Sequence, residues 1–176
     1  MRTLYIFSEV TSDVALSVRA AINEDRLDNI WLCTPGGDVA AALAIYDALV
    51  GKGITVIGTG QVSSAGIIIL LGGDRRYATP NTRLLVHPVT VEPTNEEAKD
   101  KDVCPECQGE TSTIQTILAG LIVQRSNLSA ESVDELCSKE SYLGVDEAIA
   151  AGFIDNVWPQ VWTSVSAGAL EAQVVQ

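Results

Sequence analysis

Hydrophobic and polar positions follow two rhythms through the first 87 residues. Leu4 to Phe7 is a short apolar run that predicts a strand. From Ser12 or Asp13, either of which can cap it, a helix is expected to about Asn23, with Val14, Ala15, Val18 and Ile22 on one face. Ile30 to Cys33 is a continuous apolar strand, and Thr34-Pro35-Gly36-Gly37-Asp38 is a turn. Val39 to Val50 has helical spacing at Leu43, Tyr46 and Val50, with Gly51 just past its end. Ile54 to Gly58 is another buried strand, and Ala65 to Leu71 a short apolar helix ended by Gly72-Gly73. Arg75 to Ala78 and Arg83 to His87 are strands around a Pro80-Asn81 turn. Alternating strands and helices, with strands apolar throughout, predict a parallel sheet covered on both faces.

The rhythm breaks at residues 88 to 110, which are polar, carry Pro88, Pro93 and Pro105, and read as a loop or insertion. A helix resumes from Thr111 to about Arg125, striped by Ile114, Ile117, Leu118, Leu121 and Ile122. Ser129 caps a helix over Ala130 to Ser138, with Glu131 close behind it. A short strand at Ser141-Tyr142-Leu143, a helix from Val145 to Ala151 stopped by Gly152, and a strand from Phe153 to Val157 complete the pattern. The tail from Trp158 to Gln176 carries no clear period.

Composition narrows the classes. The 176 residues suffice for one compact domain, and 47% hydrophobic with 19% charged content is that of a globular chain. A net charge of -12 argues against nucleic-acid binding and against docking on anionic membranes. The longest apolar run, Ile67 to Leu71, is far short of the roughly 20 residues that span a bilayer. The N-terminus lacks a full signal-peptide core, so a cytoplasmic protein is expected. Of the four cysteines, Cys33 sits in an apolar strand and is expected in the core. Cys104 and Cys107 form a C-x-x-C among polar residues, which reads as a pair of reduced loop thiols. A zinc site would need Cys137 or a neighbouring subunit to complete it, so no metal or other cofactor is expected.

Three segments can carry chemistry. Pro35-Gly36-Gly37 can expose backbone N–H groups at a helix N-terminus, where an anion is stabilised. Ser63-Ser64-Ala65-Gly66 is a second strand-to-helix turn; it offers a nucleophile, or simply a helix cap. It is not the G-x-S-x-G elbow, because Val62 stands where that motif has glycine. His87 is the only histidine in the chain, and hence the only imidazole base available.

Taken in order, these segments resemble the Clp-type serine peptidase family, the proteolytic subunit of ATP-dependent Clp proteases. The resemblance spans about residues 3 to 157. It rests on Thr34 to Asp38 followed by Ala44 to Leu49, and on Gly60-Gln61-Val62-Ser63-Ser64-Ala65-Gly66. It also rests on Pro80-Asn81-Thr82-Arg83 running to His87, and on Glu147 to Asp155. It implies an α/β fold of the ClpP and crotonase-like kind, a superhelix of repeated ββα units with a largely parallel sheet. Residues 1–157 would form that domain, with a protruding helical handle at about 88–128 and a C-terminal tail at 158–176. The family pattern places the nucleophile at Ser64, the base at His87 and the oxyanion hole at the N–H groups of Gly37 and Ala65. Its triad aspartate position is filled here by Glu140, one methylene longer; Glu135 and Asp146 are the nearest alternatives. Gly36, Val89, Thr90 and Val91 are the expected substrate-binding residues, although Pro88 and Pro93 lack the N–H donors of a full pairing strand.

The implied activity is that of a serine endopeptidase acting on peptides or unfolded protein inside a homo-oligomeric chamber, a heptameric ring or double ring. A AAA+ unfoldase is the family's partner, but Met1 lies almost on the first strand, so the axial loops that help dock it are not expected. A second reading is a Clp-like structural or assembly subunit, weak or inactive because of Glu140. A crotonase-type acyl-CoA enzyme would have no need of a Ser–His pair. A Ser–Lys peptidase using Lys139 would leave His87 idle.

Overall fold

The computed structural model describes residues 2–24, 27–89, 105–159 and 172–175, with backbone alone for 105–111 and 172–175. Three βα steps open the chain. They are β1 (Arg2–Ile6), α1 (Ser12–Asn23), β2 (Leu27–Thr34), α2 (Val39–Leu49), β3 (Thr55–Ser63) and α3 (Ala65–Gly72). β4 (Arg75–Ala78) and β5 (Arg83–Val86) follow, then α4 (Pro105–Arg125), α5 (Ala130–Cys137), β6 (Ser141–Leu143), α6 (Val145–Ala150), β7 (Asn156–Val157) and β8 (Ala172–Val175). The sheet runs β6-β5-β3-β2-β1-β8, with β4 also on β3 and β7 on β4. Every described pairing is parallel except β5 with β6.

The expected two-sided cover is corrected. β1, β2 and β3 step across the sheet in one direction, and right-handed crossovers then put each connecting helix on the same face. α1 packs on α2 and α2 on α3, in one layer. Their buried residues meet Leu4, Ile6, Ile30, Leu32, Val56 and Val62 in a continuous core. On the other face the described residues are aromatic rather than helical. Trp158 stands edge-on to both Trp31 and Tyr77, and Ile57, the register partner of both residues, is fully buried beneath them. Cys33 belongs to this face, two residues from Trp31, and is half-buried instead of lying in the core.

β3 is longer than its sequence suggests, and this matters for the site. Leu32 pairs with Gly58 but Thr34 pairs with Val62, so β3 gains two residues over β2. Gly60, at φ 62, supplies the irregular conformation. The strand thereby forks: Thr55–Gly58 pairs with β4, while Gln61–Ser63 pairs with β5. Strands β4 and β5 therefore do not pair with each other. Thr79 N–H and the Thr82 hydroxyl both donate to the Gly58 carbonyl oxygen and hold the turn between them in the fork.

Helix ends differ from the expected ones in instructive ways. α1 is capped by Thr11, not by Ser12 or Asp13; its Oγ1 accepts from Val14 N–H at 3.3 Å. α2 buries Ala41, Ala42, Ile45 and Leu49, a stripe beside the larger residues, because small side chains allow close contact with α3. Val50 is left exposed. Ser129 caps α5 as expected. α4 begins at Pro105, whose preset φ suits the first helical position, so Cys107 lies in a helix rather than a loop. Cys104, Thr90 and Val91 fall outside the described residues. The strand expected over Phe153 to Val157 shrinks to β7, with Phe153 and Ile154 buried in the turn before it. The far end of α4 is pinned to α3: Arg125 donates to the carbonyl oxygens of Leu71 at 3.0 Å and Gly73 at 2.8 Å. Among the described residues no helix is long and apolar enough to cross a membrane.

Candidate active site

Strands β2, β3 and β5 are neighbours in the sheet, and β2 and β5 are parallel to β3. Their carboxyl ends therefore lie along one edge, where open α/β sheets commonly bind ligands. The Gly36-Gly37 turn follows β2, Ser64 follows β3 and His87 follows β5. Segments 50 residues apart in sequence are thus brought together by strand order alone.

Ser64 is the only described non-glycine residue with positive φ, at φ 55 and ψ -123. Such a conformation costs about 1–3 kcal/mol and must be enforced by its surroundings. Ser64 N–H donates to the Leu85 carbonyl oxygen at 2.9 Å, and α3 after it is buried at all eight positions. Although it stands at the N-cap of α3, its hydroxyl makes no capping bond. The bland reading of this serine as a helix cap therefore fails. Ser63 is different: it is 1% exposed, and its Oγ accepts from Gln61 Nε2 at 2.9 Å. Of the two serines, only Ser64 lines the cavity at the strand ends.

Two glycines make room for this geometry. A β-carbon at Gly36 would lie 2.6 Å from Ser64 Cβ, and one at Gly66 would strike the Thr34 methyl group. Gly37, at φ 137, runs against Val10. The Gly36 carbonyl accepts from Val10 N–H at 2.7 Å and Asp38 N–H donates to the Val10 carbonyl at 2.9 Å. This bridge uses the groups on either side of the Gly37 N–H and leaves that N–H without an acceptor among the described residues. Ala65 N–H, at the first position of α3, has no intrahelical acceptor either.

The cavity measures about 140 Å³ and is lined by Gly37, Ser64, Ala65 and His87 together. Cavities of roughly 150 Å³ with apolar walls hold a benzene-sized group. Its far wall is apolar, built by Ile68 and Leu71 of α3 and by Leu118, Leu121 and Ile122 of α4. Sequence reasoning did not assign these residues to a site; their helical stripe reads equally as core. Gln115 and Cys137 add two polar side chains to the wall. Burial pushes the Cys137 thiol up from its ordinary pKa, and a hydrogen bond from the Gln115 side chain draws it partly back.

His87 is half-buried, and its Nδ1 lies 2.7 Å from the Pro88 carbonyl oxygen. No hydrogen bond joins it to Ser64 or to Glu140 among the described residues. Glu140 is exposed and precedes β6. The antiparallel register pairs Leu84 with Leu143, Leu85 with Tyr142 and Val86 with Ser141. One further step sets His87 opposite Glu140. Asp146, by contrast, lies beyond β6 in the first turn of α6, and Glu135 pairs with Lys139 on α5's outer surface. Val89 also lines the cavity, and its N–H donates to Gln115 Oε1 at 3.0 Å. No cluster of three or more metal-ligating side chains occurs among the described residues.

Comparisons with known proteins identify the family and the fold. The family model for Clp protease matches residues 2–161. The ATP-dependent Clp protease proteolytic subunit 1 of Thermobifida fusca is 30% identical over 78% of this chain, which spans 63% of that protein's length. Proteolytic subunit 2 of Chlamydia trachomatis is 29% identical over 89% of this chain and 80% of its own. A solved structure of a ClpP1 mutant from Listeria monocytogenes superposes with a TM-score of 0.75 at 26% identity, covering 91% of this chain and 92% of that one. With a family match over nearly its whole length and the same mixed, mostly parallel α/β fold, the chain belongs to the Clp protease family.

Proposed function

We propose that this chain is a serine endopeptidase that cleaves peptides or unfolded protein through Ser64 and His87. The observation that carries the reading is convergence on one cavity: Ser64, His87, Gly37 and Ala65 all line it. In the proposed reaction Ser64 Oγ attacks the scissile carbonyl carbon while His87 Nε2 takes its proton. The N–H groups of Gly37 and Ala65 hold the developing oxyanion. The imidazolium then gives its proton to the leaving amine, and water, deprotonated by His87, releases the acyl group from Ser64. Glu140, opposite His87 in register, supplies the carboxylate that stabilises the imidazolium. The apolar wall takes one side chain of the substrate, and Gly36, Val89, Thr90 and Val91 contact its backbone. The expected assembly is a homo-oligomeric ring, single or stacked; the relatives are described as subunits of ATP-dependent proteases, but an unfoldase would have to dock here without the axial loops that the sequence does not lead one to expect.

A fluorophosphonate probe tests this directly. Mass spectrometry should find the adduct on Ser64, and Ser64→Ala should abolish it. A correctly assembled oligomer that takes no label overturns the reading. That result favours a non-catalytic Clp-like subunit, the alternative raised by Glu140 standing at the family's aspartate position.

A further inference from the structure

The peptide unit that joins Pro88 to Val89 is held on both sides. Its N–H, from Val89, donates to Gln115 Oε1 at 3.0 Å. Its carbonyl, from Pro88, faces His87 Nδ1 at 2.7 Å. A carbonyl oxygen can only accept, so at this distance Nδ1 carries the proton. In the neutral ring Nε2 is then unprotonated, the form needed to take a proton from a serine hydroxyl. The chain of contacts runs from a side chain on α4, through one rigid amide plane, to the base.

We infer that Gln115 is a positioning residue for His87: by anchoring the Pro88–Val89 peptide it fixes the carbonyl that selects the Nδ1–H tautomer. The inference rests on the peptidase reading for its consequence to catalysis. Geometry gives the device three supports. Pro88 restricts its own φ, which limits how the carbonyl can swing away. An N–H that is itself hydrogen-bonded polarises its amide and makes the opposite carbonyl a better acceptor. Gln115 is half-buried and lines the cavity wall beside Cys137, so its amide has little freedom to turn away from Val89. The work of a triad acid is thereby divided. The neutral Pro88 carbonyl sets tautomer and ring orientation, while Glu140 across the strand pair supplies charge.

One histidine in the chain makes the test direct. Protein labelled with ¹⁵N-histidine gives one imidazole, and its two nitrogen shifts report the tautomer. The wild-type protein, assembled and at a pH where the ring is neutral, should show Nδ1–H. Gln115→Met, which keeps length but loses the acceptor, should move the signal toward the Nε2–H form that free imidazole favours. Its kcat should fall about tenfold with little change in KM, since orientation and not binding is lost. Gln115→Glu, which keeps an acceptor oxygen, should retain Nδ1–H. Nε2–H in the wild type, Nδ1–H in Gln115→Met, or loss of Nδ1–H in Gln115→Glu each overturns the inference. The wild-type spectrum decides even if a variant fails to assemble. Fluorophosphonate labelling reports separately on Ser64: label with an Nε2–H ring defeats this inference alone, and no label with an Nδ1–H ring defeats the peptidase reading.

Discussion

The two halves of the proposed catalytic pair are held very differently. Ser64 is fixed from all sides, with Gly36 against its β-carbon, the buried α3 behind it and a hydrogen bond to Leu85 across the sheet. Its strained backbone persists because the core leaves it no alternative. His87 stands where β5 ends, beside the short antiparallel strand β6 and an exposed Glu140. Its one bonded partner among the described residues is the next residue's carbonyl. The nucleophile's geometry is thus a property of the domain core, whereas the base depends on edge strands and on α4. If the proposed ring forms, the second half is the place where neighbouring subunits or substrate can act.

The sharpest way to break this contrast is Gly36→Ala. The added methyl would meet Ser64 Cβ at 2.6 Å and the Ser63 carbonyl oxygen at 3.0 Å, at a φ of 109 that disfavours any β-carbon. Peptide hydrolysis should drop about 10²–10³-fold, comparable to losing one oxyanion donor. Thermal unfolding measured alongside separates displacement of Ser64 from loss of the fold. Unimpaired hydrolysis would mean that the nucleophile is not held by the core as described.

Glu140→Gln probes the other half and should cost less. A buried triad aspartate bonded to its histidine is worth about 10⁴ in rate. Glu140 is exposed and unbonded to His87, so a loss of about ten- to a hundredfold is expected, read as the rate of acylation of Ser64. A loss as large as that of a buried aspartate would show that Glu140 closes on His87 during turnover. Unchanged acylation removes it from the machinery and leaves the Pro88 carbonyl as the only orienting group.

The same contrast explains what was legible in the sequence. The βα steps and the cap at Ser129 follow from local periodicity and turn chemistry; β2 and β5 end within one residue of expectation, at Thr34 and Val86, whereas β3 runs past the expected Gly58 to Ser63. Ser64 over Ser63 was readable only through family order; the physical reason, one hydroxyl bonded to Gln61 and the other facing the cavity, needs coordinates. The forked β3 was hidden because the apolar run stops at Gly58, while the strand continues through an irregularity at Gly60 to Ser63. Cover on both faces was the wrong expectation because apolar runs do not reveal the direction in which successive strands are added. Gln115 carried no signal at all: one amide on a helix stripe becomes meaningful only when its partner, the Val89 N–H, is seen.

Cys137 offers the smallest and most selective probe, because it sits in the cavity wall where the two halves meet. Burial holds its thiol above the ordinary pKa, so the folded protein keeps a proton that the unfolded chain surrenders. Two consequences share one sign. Alkylation by iodoacetamide, which needs the thiolate, should be slower in the native protein than in urea at the same pH, and should accelerate only as pH rises past the usual thiol range. Stability should decline over that interval, since above the unfolded pKa the unfolded state binds fewer protons than the native one. Peptide mapping across a pH series resolves Cys137 from the other three cysteines. Equal rates in native and denatured protein would mean that α4 and α5 part readily. The apolar wall would then be as loosely held as His87 and would fall on the mobile side of the contrast.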